Sequence, residues 1–190
     1  MGSDKNHTKI RAVFLDRDGT LNLDPGYLND FNRLELLPGV LEALSQLQSA
    51  GLHLIVISNQ SGVGRGLITI AQIQKIHEHL DHLLSKHGIK ILAYQLCFHR
   101  PEEDCACRKP KPFLIHDAAS RFQIDIASSF MVGDKCSDVE CGKNAGCQAS
   151  VLVSTGEGSN EFSRCPDVPD YVASDLKDAS DWILSQLDFS

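Results

Sequence analysis

Two carboxylates stand two residues apart near the start of the chain, in the run Asp16-Arg17-Asp18-Gly19-Thr20. Transfer of a phosphoryl group requires a nucleophile, a proton donor for the leaving alcohol and positive charge around phosphorus. Asp16 can attack phosphorus and become an aspartyl-phosphate, while Asp18 can protonate the leaving oxygen and then deprotonate the hydrolytic water. Gly19 allows a sharp turn that faces backbone N–H groups toward the phosphate. Taken alone, these five residues also suit an Asp-Gly turn between two elements.

Polar residues later in the chain supply the groups that phosphoryl transfer still needs. Ser58 offers a hydroxyl and a backbone N–H to phosphate oxygens, and Lys109 can neutralise the charge that develops on the phosphoryl group. Asp138 can hold a metal-bound water or orient Lys109. An oxygen-rich site of the kind that Mg²⁺ prefers would take ligands from Asp16, Asp18 (its carbonyl) and Asp134, and water and phosphate would complete it. The backbone of Lys135 would lie just outside these direct ligands. The sequence therefore predicts a magnesium-dependent phosphatase, in which magnesium is the catalytic cofactor.

Apolar runs alternate with helical patterns along the chain and predict the elements that position these groups. Short, mostly apolar runs predict buried strands at residues 10–15, 52–57, 91–97, 129–132, 149–153 and 171–172. Helices are predicted after Pro38-Gly39, from Thr69, after Pro112, over about 138–144 and over 176–187. This alternation predicts a three-layer α/β fold with a doubly wound, mostly parallel sheet. Because ligands bind beyond the carboxyl ends of such strands, Asp16, Ser58 and Asp134 should meet at one edge.

Length and composition indicate one globular unit without a charged macromolecular partner. We expect a flexible segment over residues 1–9 and a single domain over 10–190, because 190 residues suit one buried core. A net charge of −7 argues against nucleic acid or an anionic membrane as a partner. No apolar run reaches the length of a membrane span, and the polar start lacks the apolar core of a signal peptide. We therefore expect a cytoplasmic monomer that acts on a small phosphorylated substrate.

Four soft metal ligands lie within eleven residues of one another: Cys97, His99, Cys105 and Cys107. Three thiolates and an imidazole suit a tetrahedral, structural Zn²⁺ with no open position, and a loop of reduced cysteines is the alternative. A metal here would fix the direction of Arg108 and Lys109, which follow Cys107 directly.

The remaining thiols and histidines suggest simpler roles. We expect ordinary thiols at Cys136, Cys141, Cys147 and Cys165. A second metal site on the long helix would need three histidines: His77, His79 and His82. Arg65 is interpreted as a solvated charge, with a role facing phosphate as the alternative.

Four stretches of the sequence resemble the haloacid dehalogenase (HAD) superfamily of phosphotransferases: FLDRDGTLN, VISNQSG, CRKPKP and MVGDKCSD. The four functional groups follow one another in the superfamily's order: the nucleophile Asp16, the hydroxyl of Ser58, Lys109 and the metal-binding Asp134. Ser58 departs from the threonine of many relatives but keeps the hydroxyl. The resemblance implies a HAD-like Rossmannoid fold, and the short gaps between the motifs leave no room for a cap domain. Loops must then determine which substrate is accepted.

Further matches resemble the D-glycero-D-manno-heptose-1,7-bisphosphate 7-phosphatases, which are capless HAD enzymes with a Cys₃His zinc loop. The matches are DRDGTLN, Asp24-x-Gly26-Tyr27, NQSGVGRG and CxH…CxCRKP. The resemblance implies removal of the C7 phosphate in the synthesis of lipopolysaccharide precursors, with Arg108 on the anomeric phosphate. It also implies that the substrate is contacted by seven residues: Asp24, Gly26, Tyr27, Asn59, Gln60, Ser61 and Arg108.

Two alternative functions remain open at this point. Histidinol-phosphate phosphatases share the scaffold and the zinc loop, and the five-residue gap between His99 and Cys105 fits them equally well. The loop from Asp24 to Tyr27 fits the heptose enzymes better. A non-catalytic zinc-binding scaffold is the alternative from a different class, and its signature would be loss of Asp16 or Asp134, both of which are present.

Overall fold

A computed structural model describes residues 9–165 and 169–187 of the chain. The strands are β1 (Ala12–Leu15), β2 (His53–Asn59), β3 (Ile91–Cys97), β4 (Phe130–Gly133), β5 (Ala149–Val153) and β6 (Tyr171–Ala173). The helices are α1 (Val40–Ser49), α2 (Ser61–Gly64), α3 (Ile70–Ser85), α4 (Phe113–Phe122), α5 (Cys136–Ala145), α6 (Gly158–Glu161) and α7 (Leu176–Ser185). The flexible segment predicted over 1–9 lies outside the described residues, apart from Lys9.

The six strands form one sheet in the order β3-β2-β1-β4-β5-β6, and every neighbouring pair is parallel. The chain winds outward from β1 to β3 and then returns to β4 on the other side of β1. The direction of winding therefore reverses between β1 and β4, and ligands bind beyond the strand ends at such a point. The prediction of a doubly wound parallel sheet is confirmed.

Strand β1 shows how the sheet is covered on both faces, because its side chains alternate between them. Val13 and Leu15 pack with α1, α3 and α7, whereas Ala12 and Phe14 pack with α4 and α5. All four side chains are fully buried. Burial of one large apolar side chain stabilises the fold by roughly 1.5–3 kcal/mol, so β1 is held firmly between the two helical layers. The predicted three-layer arrangement is confirmed.

Several element boundaries follow from local hydrogen bonds. The capping box predicted at Thr69 is confirmed, since its hydroxyl accepts from Gln72 N–H and the Gln72 side chain accepts from Thr69 N–H. Helix α5 begins two residues earlier than predicted because Asp138 Oδ2 accepts a hydrogen bond from Lys135 N–H at 3.0 Å. Strand β2 continues through Ser58, so that residue lies within the end of the strand. The short helices α2 and α6 were not predicted.

The described chain has no inserted cap domain between the motifs. A 3₁₀ turn at Phe31–Arg33 is the one helical segment between β1 and α1, and α2 and α3 fill the connection from β2 to β3. None of the described helices combines the length and the apolarity that crossing a bilayer requires.

Two cysteines differ from the expectation of ordinary thiols. Cys136 and Cys165 form a disulfide, so the prediction is wrong for this pair. Cys136 begins α5 and Cys165 follows α6, and both pack with Val139 and Leu152. The pair is 29 residues apart in sequence, so only the tertiary packing brings the two sulfurs together. Cys141 and Cys147 are free, as expected.

Candidate active site

Asp16 and Lys109 form a buried ion pair at the carboxyl end of the central strands. Lys109 Nζ lies 2.7 Å from Asp16 Oδ1, 2.6 Å from Asp138 Oδ1 and 2.7 Å from the carbonyl oxygen of Ile57. Burial alone would lower the pKa of Lys109, but the carboxylates of Asp138 and Asp16 outweigh it and raise that pKa. Lys109 is therefore a fixed positive charge beside the carboxylate that we predicted to attack phosphorus.

Three buried carboxylates converge beside this ion pair, from Asp16, Asp134 and Asp138, with ligand oxygens within 4.8 Å of one another. Asp134 Oδ2 accepts from Glu157 N–H at 2.9 Å, whereas Asp134 Oδ1 is buried with no hydrogen-bond partner in the described part of the chain. Burial and the nearby Asp16 raise the pKa of Asp134 to about 7. A hard divalent cation would satisfy the unpaired oxygen and the excess negative charge, so the oxygen donors fit Mg²⁺.

Two glycines allow loops from opposite sides to close on Asp134. Gly19 and Gly156 both have positive φ angles, of 86° and 56°. A Cβ atom at either position would overlap the Asp134 carboxylate. The Thr155 hydroxyl also donates to the Gly19 carbonyl at 2.6 Å, which ties the loop after β5 to the loop after β1. The sequence predicted Gly19 as a turn, but the contribution of residues 155–157 was missed.

The Asp18 side chain is held by three neighbours and lines the cleft. Arg17 donates to both carboxylate oxygens, Nε to Oδ1 at 3.1 Å and Nη2 to Oδ2 at 2.6 Å. Asn22 and Gln60 donate one further hydrogen bond each. Burial raises the pKa of Asp18, but the charge of Arg17 and these hydrogen bonds outweigh it and leave the pKa lowered. Asp18 is therefore a carboxylate in the resting structure.

The end of β2 connects the cleft to the lysine segment. Gln60 Nε2 donates to Ser58 Oγ at 3.0 Å, in addition to its bond with Asp18. Asn59 Oδ1 accepts from Lys109 N–H at 3.1 Å, and Asn59 Nδ2 donates to the Lys109 carbonyl. The Asn59 bonds therefore hold the Lys109 backbone against the end of β2, next to Ser58.

The predicted residues line one cleft with a volume of about 340 Å³. Its lining includes every residue predicted to act in catalysis or to contact substrate: Asp16, Asp18, Asp24, Gly26, Tyr27, Ser58, Asn59, Gln60, Ser61, Arg108 and Lys109. Lys135 also lines it, with Nζ 3.6 Å from Asp24 and 3.9 Å from Asp134, while its backbone N–H is bonded to Asp138. The Nη1 atom of Arg108 is buried and has no hydrogen-bond partner within residues 9–165 and 169–187.

The four predicted soft ligands also converge. Their sulfur and Nδ1 atoms lie within 4.8 Å of one another, with Cys97 Sγ 3.2 Å from Cys107 Sγ and 3.5 Å from Cys105 Sγ. His99 Nδ1 lies 3.3 Å from Cys107 Sγ. Lys111 Nζ holds the far side of this loop by bonds to Asp104 and the Cys105 carbonyl. The four donor atoms are close enough together to hold one metal ion.

The structure also shows where the α3 histidines and Arg65 lie, which bears on their predicted roles. Within the part of the chain that the structure describes, no histidine of α3 belongs to a metal-ligand cluster. Arg65 pairs with exposed Glu102 at 3.5 Å, in agreement with a solvated charge.

Sequence reasoning missed Arg17 and His77, which are buried behind Asp18. The available signal was an arginine between two aspartates at the end of a buried strand. Arginine is rarely buried without a partner, so its position suggested that Arg17 pairs with a neighbouring carboxylate.

A doubly wound sheet whose switch point carries this aspartate pair, a buried lysine and a third buried carboxylate is the arrangement of a HAD-type phosphatase. A family model described as HAD-hydrolase-like matches residues 106–179. The chain belongs to the family of D-glycero-β-D-manno-heptose-1,7-bisphosphate 7-phosphatases. It is 40% identical to the Pasteurella multocida (strain Pm70) member over 160 residues, which cover 81% of this chain and 87% of that protein. For the Helicobacter pylori (strain J99) member the identity is 38% over 179 residues, covering 93% and 98%.

Solved structures agree with this assignment. The D,D-heptose 1,7-bisphosphate phosphatase from B. bronchiseptica, complexed with magnesium and phosphate, superposes with a TM-score of 0.87 at 33% identity. The match covers 94% of this chain and 100% of that one. The D,D-heptose 1,7-bisphosphate phosphatase from Burkholderia thailandensis gives 0.71 at 30% identity, covering 93% and 99%.

Proposed function

We propose that this protein removes the C7 phosphate of D-glycero-β-D-manno-heptose 1,7-bisphosphate and leaves heptose 1-phosphate. The observation that carries the proposal is the cleft with two separate anion-binding elements. One is formed by Ser58 and Lys109 around Asp16, and the other is Arg108, whose buried Nη1 has no partner among the described residues. A bisphosphate fills both elements at once, and a guanidinium can bind a phosphate through two parallel hydrogen bonds. The names of the relatives support the same substrate.

Asp16 is the proposed nucleophile. Its Oδ1 is held by Lys109, which leaves Oδ2 for attack on phosphorus. As the new bond from Asp16 to phosphorus forms, the bond from phosphorus to the C7 oxygen breaks. The Lys109 ammonium and the Ser58 hydroxyl face the charge on the phosphoryl oxygens, where fixed charge lowers the barrier most.

Asp18 is the proposed acid and base. It begins as a carboxylate, and a phosphate dianion bound at Asp16 raises the pKa of Asp18, which favours its protonated form. Asp18 then gives its proton to the C7 oxygen as that oxygen leaves. In the second step it takes a proton from water, whose oxygen attacks phosphorus and releases Asp16 as a carboxylate.

Magnesium would be held by Asp16, Asp134 and the backbone carbonyl of Asp18, with Lys135 adjacent. The unpaired Asp134 Oδ1 and the raised pKa of Asp134 support this assignment. The B. bronchiseptica enzyme was solved with magnesium and phosphate, which supports magnesium as the cofactor. When bound, the ion supplies positive charge that stabilises the transferring phosphoryl group.

We also propose that Cys97, His99, Cys105 and Cys107 bind a structural zinc ion. A tetrahedral site with Zn–S bonds of about 2.3 Å places thiolates about 3.8 Å apart. The sulfur separations of 3.2–3.6 Å are shorter than this, so binding the ion would move the three sulfurs slightly apart. Cys107 directly precedes Arg108, so the bound ion would fix the direction in which the guanidinium extends into the cleft.

The proposal is tested by magnesium-dependent phosphate release from heptose 1,7-bisphosphate and from histidinol phosphate at equal concentrations. We expect kcat/KM to be at least about a hundredfold higher for the bisphosphate, which is about 2.7 kcal/mol of transition-state discrimination. Preference for histidinol phosphate would contradict the substrate assignment and leave the phosphatase mechanism standing.

Arg108 provides a sharper test of the second anion-binding element. Arg108→Ala should lower kcat/KM for the bisphosphate by about tenfold or more, because a charged hydrogen bond is lost. The same variant should process heptose 7-phosphate, which lacks the anomeric phosphate, as well as the wild type does. Equal losses on both substrates would show that Arg108 does not recognise the second phosphate.

Three attributes stay predictions from the sequence. They are the monomeric state, a cytoplasmic location and a role in the synthesis of lipopolysaccharide precursors. A non-catalytic scaffold is disfavoured because Asp16, Asp18, Lys109 and Asp134 are present and adjacent.

A further inference from the structure

A row of buried side chains leads from Asp18 into the protein, away from the cleft. Arg17 is 1% exposed and does not line the cleft, although it is charged. Its Nε and Nη2 atoms are both used by Asp18, and its Nη1 atom lies 3.2 Å from His77 Nε2. A guanidinium can only donate, so His77 Nε2 must be the acceptor and carries no proton.

His77 is in turn held by its own surroundings. It lies on the buried face of α3, and its ring stacks on Tyr94 with centroids 4.0 Å apart and planes inclined by 11°. The Tyr94 hydroxyl donates to Asp81 Oδ1 at 2.7 Å. Burial and the charge of Arg17 lower the pKa of His77 to about 3, which agrees with a neutral acceptor.

These contacts restrict where the Asp18 carboxylate can lie. The guanidinium is planar, so fixing Nη1 on His77 also fixes the plane in which Nε and Nη2 face Asp18. The two-point contact then sets both the position and the rotation of the carboxylate. Asn22 and Gln60 hold the same carboxylate from other sides, but each supplies only one bond.

We propose that Arg17 and His77 are positioning residues that hold Asp18 where it transfers a proton to the leaving oxygen. The inference rests on the proposed function of Asp18 and adds two residues that do not line the cleft. The step that it controls is the transfer of the Asp18 proton to the leaving oxygen while the bond from that oxygen to phosphorus breaks. Arg17 and His77 neither gain nor lose a proton.

The test compares substrates whose leaving groups differ in their need for a proton. An alkoxide leaving from heptose bisphosphate must be protonated, whereas 4-nitrophenolate is a weak base and leaves without help. His77→Phe removes the acceptor and keeps an aromatic ring against Tyr94. We expect it to lower kcat/KM for heptose bisphosphate by about tenfold or more, but for 4-nitrophenyl phosphate by less than about threefold.

Two matched variants separate positioning from general damage. His77→Gln retains an acceptor for Arg17 and should recover heptose bisphosphate turnover to within about threefold of the wild type. His79→Phe alters the same helix, where His79 contacts Phe31 rather than Arg17, and should leave both activities unchanged. If His77→Phe does not fold in a thermal melt, Arg17→Lys takes its place, because it keeps the charge and loses the planar fork.

A series of aryl phosphates gives a second readout that needs no particular sugar. In the positioning variants, log kcat/KM should fall more steeply as the leaving group becomes more basic. Failure of the wild type on heptose bisphosphate, with this steepening intact, would reject the proposed substrate and retain the inference. Equal losses across all leaving groups, no loss on any of them, or no recovery by His77→Gln would overturn it.

Discussion

Replacing Lys109 by methionine should reveal how strongly one ammonium group stabilises the acidic cluster. Its side chain is 2% exposed and lies 2.7 Å from Asp16 and 2.6 Å from Asp138. Removing one partner of a buried ion pair costs about 3–5 kcal/mol, because the other charge remains buried without compensation. All three side chains are more than nine-tenths buried, so solvent screening does not reduce this figure. We expect Lys109→Met to lower the free energy of unfolding by about 3–5 kcal/mol.

A double-mutant cycle with Asp138→Asn identifies the origin of that loss. The variant that combines both changes lacks one of the carboxylates that Lys109 compensates. It should therefore be more stable than Lys109→Met alone, with a coupling energy of about 1.5–3 kcal/mol between the two positions. Urea unfolding of zinc-loaded protein without added magnesium measures all four corners of the cycle. Additive effects of the two substitutions would refute the account of a coupled buried pair.

Three further perturbations probe other parts of the structure. Gly19→Ala places a methyl group against a buried carboxylate at a positive φ, so phosphate release should be abolished and stability should fall by about 1–3 kcal/mol. Gly51→Ala, at a positive φ with open space around it, is the control and should keep its activity. Cys107→Ser should lose zinc in metal analysis and melt at a lower temperature, because one of four ligands is removed. In the variant that combines Cys136→Ser and Cys165→Ser, the free energy of unfolding should be about 2–4 kcal/mol lower than in the wild type under non-reducing conditions. Under reducing conditions this difference should disappear.

Each of these expectations can be contradicted. Wild-type activity in Gly19→Ala would show that the two loops do not pack as closely as described. Zinc retained at full occupancy in Cys107→Ser would remove Cys107 from the ligand set. The same stability difference under reducing and non-reducing conditions would show that the cysteine pair does not act through its disulfide.

The strands that carry the site could be predicted because their signal is local. Short, mostly apolar runs before Asp16, Ser58 and Asp134 indicate buried parallel strands, and parallel strands bring their carboxyl ends to one edge. The four soft ligands were equally visible, since they lie within eleven residues. In each case, the residues that carry the information are close together in the chain.

The contacts that complete the site could not be predicted in the same way. Lys109 reaches Asp16 across 93 positions, and Arg17 reaches His77 across 60. The N–H of Glu157 reaches Asp134 from a loop whose composition resembles any turn. Such pairs form only after the sheet and its helices have packed, and no periodicity in the sequence reports them.

The central claim is that Asp16 carries the phosphoryl group during turnover. Acid quenching of the enzyme during steady-state hydrolysis, followed by peptide mass analysis, tests it most directly. We expect the mass of one phosphoryl group on the peptide that contains Asp16. The nearly isosteric Asp16→Asn variant should remain folded, show no added mass and release no phosphate. A wild-type peptide without the modification during turnover, or phosphate release at the wild-type rate by Asp16→Asn, would contradict the account.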